Sequence, residues 1–278
     1  MRSRRFIQTD VFTSQPTKGN ALAVVMDGTG LSTQGMQDFA TWTNLAETTF
    51  LLPPTTDDAD YKVRIFSPAG EMPFAGHPTL GSCAAWLHCG GQPNVAGLVR
   101  QECGVGIVDI DITSDVPAFA APKTEINPLE VSQLRAISEV LGFPLDRVVR
   151  TAQLNNGPNF QMIELTSAAD VLAAHPQSQK RPEFRGVGLI GAHPPGSECD
   201  YEVRNLGPAS SMSEDPITGS MNAAIACWMY EEGHWNSDLI IAQGTAIGRH
   251  GRVHVRKDGN TIWIGGHSHI LIDGTTVL

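Results

Sequence analysis

Glu47 lies between Leu45-Ala46 and Thr48-Thr49-Phe50-Leu51-Leu52, where an expected helix ends and an expected strand begins. An apolar setting disfavours the charged carboxylate and can raise its pKa toward the operating pH, as a general acid requires. The plainer alternative for a Glu at a strand start is a solvated surface charge. His77, followed by Pro78, opens an apolar helix whose positive end disfavours the imidazolium. It can serve there as a neutral hydrogen-bond donor or proton relay, or only as a cap. Asp215, followed by Pro216, stands in the same position before a second apolar helix and is a good N-cap by residue type. Ser220 follows Gly219 and can offer its hydroxyl or its N–H to a carboxylate, but no G-x-S-x-G elbow surrounds it, which argues against a serine hydrolase. His267 and His269 share one face of an expected strand, yet no third ligand stands at recognisable spacing, so no metal site is expected.

The elements that must position these groups repeat along the chain. Val63-Arg64-Ile65-Phe66-Ser67-Pro68 resembles Val203-Arg204-Asn205-Leu206-Gly207-Pro208 at an offset of 140 (203 − 63). The P-x-x-G-S of Pro78 to Ser82 matches Pro216 to Ser220 at 138 (216 − 78), and Asn20 matches Asn159 at 139 (159 − 20). In the first half, strands are expected near 5–12, 21–26, 48–52 and 61–67, with a helix near 31–45 capped by Ser32. In the second half, strands near 147–153, 159–165, 186–192 and 200–206 and a short helix near 168–175 follow in the same order. By this spacing the second-half counterpart of Glu47 falls near Arg185, so the acid is present once.

Pro78 to Cys89 and Pro216 to Met229 are apolar nearly all round, the pattern of a helix buried inside a core. Each half is therefore expected to wrap a sheet around one central helix. Helix starts carry unpaired N–H groups and a positive dipole end, and Gly76, Gly81, Gly219 and Ser220 leave room for a ligand near the backbone. A small carboxylate held there needs neither metal nor arginine. The alternative is that both motifs merely cap core helices.

The chain has 278 residues, long enough for two domains. Its formal charge of −10 argues against nucleic acid and anionic membranes as partners. The five cysteines are scattered without a C-x-x-C pair and read as small buried hydrophobes, and no apolar run approaches a bilayer span. Arg2, Arg4 and Arg5 are not followed by an apolar run of signal-peptide type, so a cytoplasmic protein is expected.

Several segments together resemble the phenazine-biosynthesis, PhzF-like family of the diaminopimelate-epimerase fold. They are Asp10-Val11-Phe12-Thr13 with Gly19 to Val25, Asn44 to Phe50 around Glu47, Val63 to Phe66, Glu71 to Thr79, Asn156-Gly157-Pro158, and Asp215 to Ser220. The resemblance implies an α/β (α+β) fold of two pseudo-symmetric domains, each a rolled, mostly antiparallel sheet around a central helix, with the active site in the cleft between them. The expected domains are 1–118, rejoined by 266–278, and 119–265.

It also implies a cofactor-independent isomerase acting on a small carboxylate. Glu47 matches the catalytic acid/base. His77, Asp215 and Ser220 match residues that bind or polarise the substrate, with His77 and Asp215 facing each other across the cleft as catalytic candidates beside Glu47, and Gly76, Gly219 and Asn20 join Ser220 as candidate substrate-binding residues. Ala46 stands where many members carry Ser. A homodimer is expected by the same analogy. Two alternatives compete. An amino-acid racemase or epimerase of this fold would use paired cysteine bases, but neither helix start carries Cys. A non-catalytic carboxylate-binding protein would leave Glu47 without a role.

Overall fold

The computed structural model describes residues 1–175, 184, 186–207, 214–235 and 237–278. The chain divides into unit 1, Met1–Ala120 with Trp263–Leu278, and unit 2, Ala121–Ile262.

Unit 1 runs β1 (Ser3–Val11), β2 (Asn20–Val25), α1 (Thr33–Thr43), β3 (Glu47–Leu52), β4 (Tyr61–Ser67), β5 (Gly70–Met72), α2 (Gly76–His88), β6 (Leu98–Cys103), β7 (Gly106–Asp111) and β8 (Ala118–Ala120). Unit 2 follows with β9 (Glu125–Asn127), α3 (Val131–Leu141), β10 (Val148–Asn155), β11 (Asn159–Leu165), α4 (Ala168–Ala173), β12 (Val187–Ala192), β13 (Tyr201–Leu206), β14 (Glu214–Asp215), α5 (Gly219–Glu231), β15 (Leu239–Gln243) and β16 (Gly251–Asp258). β17 (Thr261–Gly265) carries the chain back to unit 1, where β18 (Ser268–Val277) pairs antiparallel with β1.

Strand pairing establishes the duplication more firmly than any motif. In unit 1, β1–β2 is antiparallel, β2–β3 parallel, β3–β4 and β4–β5 antiparallel, β4–β6 parallel and β6–β7 antiparallel. Unit 2 repeats the series with β10–β11, β11–β12, β12–β13, β13–β14, β13–β15 and β15–β16. α2 and α5 are each 13 residues long and buried over most of their length, which explains why neither sequence has a polar face. α1 packs Met36 and Ala40 on Val25, Phe50 and Phe66 of the same unit. Its N-cap is Ser32, whose hydroxyl accepts from Gly35 N. In unit 2, α3 and α4 cover a cluster that includes Ile137, Leu141, Ile163, Val171, Val187 and Leu189.

The two halves align differently at the strands and at the central helices. Arg64 pairs through both carboxylate oxygens with Glu71, and Arg204 does the same with Glu214, so the offset of 140 between Val63–Ser67 and Val203–Gly207 is structural. Pro208 lies outside the described residues. The match from Pro78 to Ser82 with Pro216 to Ser220 is not structural. α2 begins at Gly76 after N-cap Ala75, so His77 and Pro78 are inside its first turn. α5 begins at Gly219 after N-cap Thr218, so Asp215 and Pro216 precede it. The corresponding starts are Gly76 and Gly219, 143 residues apart (219 − 76). Proline suits both the first helical turn and the approach to it, which lets the same letters recur at different positions.

The Asn20–Asn159 match fails for a similar reason. Leu22 contacts the position of Gly81 on α2, so Asn20, two residues away, lies on that inner face. Met162 is on the inner face of β11 beside Met221 of α5, which places Asn159 on the opposite face, where it is exposed.

Candidate active site

The turn after α1 delivers Glu47. Asn44 closes the helix in the left-handed region (φ 52), and the chain enters β3 with Glu47 as its first residue. Parallel pairing sets Glu47 across from Leu22, on the face that looks toward α2, two residues along from Asn20 on that face. α2 brings His77 to the same place. Its Nε2 is 3.2 Å from Glu47 Oε2, with the His77 side chain 4% and the Glu47 side chain 16% exposed. The Asn20 amide meets His77 Nδ1 at 3.3 Å. Asn20, Glu47, Gly76 and His77 are thus gathered in unit 1.

Burial lowers the His77 pKa to about 3, and a bond to the Ala21 backbone works more weakly in the other direction. The imidazole is therefore neutral near pH 7. A neutral imidazole within 3.2 Å of a carboxyl group can exchange one proton with it in either sense.

The arrangement is asymmetric between the halves. Thr48 pairs with Phe66 and Val187 with Leu206, and the Arg–Glu pairs make Phe66 and Leu206 equivalent, so the position answering Glu47 is Gly186. Glycine carries no acid there. Arg185, the neighbour indicated by the sequence spacing, lies outside the described residues.

In unit 2, Asp215 ends β14, and Gly219 and Ser220 are the first two residues of α5, both buried. The first intrahelical bond runs from Asn222 N to Thr218 O, at 3.0 Å, so the N–H groups of Gly219, Ser220 and Met221 stand ahead of it. Neither Ala75 nor Thr218 caps its helix with a side chain, whereas Ser32 and Ser167 cap α1 and α4. The Thr218 hydroxyl donates instead to Asp215 Oδ2, and Asn156 Nδ2 donates to Ser220 O at 2.8 Å. Gly81 has a different role from that of Gly76 and Gly219. It sits within α2, where an added Cβ would fall 2.6 Å from Leu22, 2.7 Å from Thr9 and 2.9 Å from Val11, so its smallness serves helix–strand packing.

Sequence reading missed the polar groups that hold both helix starts. Gln101 on β6 and Gln243 on β15 are fully buried, and each bonds the fourth residue of its central helix, Thr79 or Asn222. Their only sequence signal is a glutamine in an otherwise apolar strand, visible at Gln243 in Leu239–Gln243. α3 was also missed, although Leu134, Ile137 and Leu141 have helical spacing.

Thiol chemistry has no support at either helix start. Burial pushes the Cys83 thiol up to about 12 and also raises Cys227. Among the described residues, no three His, Cys, Asp or Glu side chains gather closely enough to hold a metal ion. No helix among those residues is long and apolar enough to cross a membrane.

The mixed α/β fold, duplicated about two central helices, and the family and relatives it matches make this chain an isomerase. The chain belongs to the phenazine biosynthesis-like protein family, whose model matches residues 9–278. It is 32% identical to antisense-enhancing sequence 1 of Schizosaccharomyces pombe, over the full length of both chains. It is 31% identical to the trans-2,3-dihydro-3-hydroxyanthranilate isomerase of Pseudomonas aeruginosa, covering 92% of this chain and 91% of that one. In fold it is similar to a Bacillus anthracis phenazine biosynthesis protein of the PhzF family, with a TM-score of 0.85, 21% identity and full coverage of both chains.

Proposed function

We propose that this isomerase moves a proton within a small carboxylate substrate without a cofactor, in the manner of a trans-2,3-dihydro-3-hydroxyanthranilate isomerase. The observation that carries the reading is the 3.2 Å approach of Glu47 Oε2 to a buried neutral imidazole. Glu47 takes a proton from one carbon of the conjugated acid and returns it to another, and His77 relays protons to and from the carboxyl group. Gly76, Asn20, Gly219 and Ser220 bind the substrate, and a helix start without a side-chain cap can offer its N–H groups to a carboxylate. Asp215 assists the proton transfer. Resemblance supports the roles of Asp215 and the binding residues, as well as a homodimer.

The test is solvent-deuterium incorporation into trans-2,3-dihydro-3-hydroxyanthranilate. Glu47→Gln is expected to lower exchange by roughly 10²–10⁴-fold, the usual contribution of a general acid/base, with ligand binding nearly unchanged. Exchange that persists at the wild-type rate removes Glu47 from the mechanism. Binding without exchange in the wild type would favour a non-catalytic carboxylate-binding protein. A racemase with paired thiol bases is the weaker alternative, because burial holds Cys83 in its thiol form.

A further inference from the structure

The two buried glutamines reach the fourth residue of their central helices from strand positions two residues out of register, Gln101 beside Tyr61 and Gln243 beside Val203, and they are turned in opposite directions. In unit 1, Gln101 Nε2 donates to Thr79 Oγ1 at 3.0 Å, and its Oε1 accepts from the Tyr61 hydroxyl at 3.1 Å. In unit 2 it is the oxygen of Gln243 that meets the helix. Oε1 accepts from Asn222 Nδ2 at 2.8 Å and from the Thr218 backbone N–H at 3.0 Å. A backbone N–H can only donate, so this contact fixes which end of the amide is oxygen. The NH₂ end of Gln243 therefore faces the turn before α5, where it donates to Thr218 Oγ1 at 3.1 Å and to Asp215 O at 3.3 Å.

This reversal determines where the Thr218 hydrogen goes. Thr218 Oγ1 accepts from Gln243 Nε2 and also from Asn205 Nδ2, at 2.9 Å. With both lone pairs occupied by amide donors, the hydroxyl has one hydrogen to give, and it gives it to Asp215 Oδ2. The direction of the chain is thus Gln243 and Asn205 to Thr218 to Asp215. In unit 1 the turn before α2 has no acid to orient. Ile65 pairs with Met72 where Asn205 pairs with Asp215, and Ala75 stands where Thr218 does. The reversed amide occurs in the half that has a carboxylate at this turn.

We infer that Thr218 and Gln243 are positioning residues for Asp215, committing Oδ2 as an acceptor and fixing the direction of the carboxylate. The inference rests on the proposed role of Asp215 in proton transfer. Thr218→Val keeps the side-chain shape and removes the hydroxyl, Thr218→Ser restores it, and Gln243→Glu replaces the donating NH₂ end with an acceptor.

With trans-2,3-dihydro-3-hydroxyanthranilate as probe, Thr218→Val and Gln243→Glu are expected to lose about tenfold or more in kcat, with KM changed by less than about threefold. Thr218→Ser is expected to stay within about threefold of the wild type. Wild-type kcat in Thr218→Val, or equal losses in Thr218→Ser and Thr218→Val, would overturn the inference while leaving the proposed function standing. A wild type that does not turn over this acid would count against the proposed function. Crystal structures of Thr218→Val and the wild type then decide the positioning claim: a turned Asp215 carboxylate supports it, and an unmoved one overturns it.

Discussion

Burying His77 in its neutral form should make unit 1 sensitive to acid in a way that one substitution can isolate. The ordinary imidazole pKa is 6.5, and burial lowers it in the folded protein to about 3. Between those values the unfolded chain binds a proton that the folded chain refuses, so stability falls as pH drops through 6.5 and the loss levels off below about 3. At about pH 4.5 the gap from the unfolded value is about two pH units, or about 2.7 kcal/mol at 1.36 kcal/mol per unit. Other groups titrate over the same range, so the useful quantity is a difference of differences. The opening free energy of unit 1, read from hydrogen exchange of the buried α2 amides, is measured at about pH 7 and about pH 4.5 in the wild type and in His77→Gln. The wild type should lose about 2.7 kcal/mol more than the variant, which has no imidazole to protonate. Losses that agree within about 0.5 kcal/mol would refute the buried neutral imidazole, and with it the relay assigned to His77.

Two further predictions use the duplication and the packing. Arg204→Ala strands a buried Glu214 and removes donors to the Val171 and Ala174 carbonyls, and should cost about 3–5 kcal/mol in urea unfolding. The equivalent Arg64→Ala, whose partner Glu71 is 39% exposed, should cost about 1 kcal/mol or less, and equal costs would contradict this difference in burial. Gly81→Ala should lower thermal stability by about 1–3 kcal/mol through overpacking against Thr9, Val11 and Leu22, and an unchanged midpoint would show that β1 and β2 yield easily.

Much of the architecture was legible because local chemistry and tertiary role agree. Ser32 caps α1, the apolar runs after Gly76 and Gly219 form the buried helices, and the Val63 and Val203 motifs lie on equivalent strands. The errors arose where one residue type suits more than one place. Proline made Pro78 and Pro216 look equivalent although one is inside its helix and the other before it. The Asn20–Asn159 match ignored the alternation of strand faces, which a one-residue shift reverses. Glu47 and His77 could be named from their motifs, but their separation depends on β3 pairing with β2 and α2 packing over both strands, which no local pattern encodes. The direction of the Gln243 amide was illegible for the same reason, since its partners are up to 28 residues away in sequence (243 − 215) and its orientation exists only once β15 and the start of α5 have met.

The return of the chain through β17 to β18 sets an order of events during synthesis. Unit 2 is one continuous stretch and can complete its own sheet as soon as it has left the ribosome. β1 must wait for its β18 partner until residues beyond all of unit 2 have been made, and meanwhile one side of an early strand is left open to pairing. The vulnerable interval of this protein's birth should therefore belong to the half that was translated first.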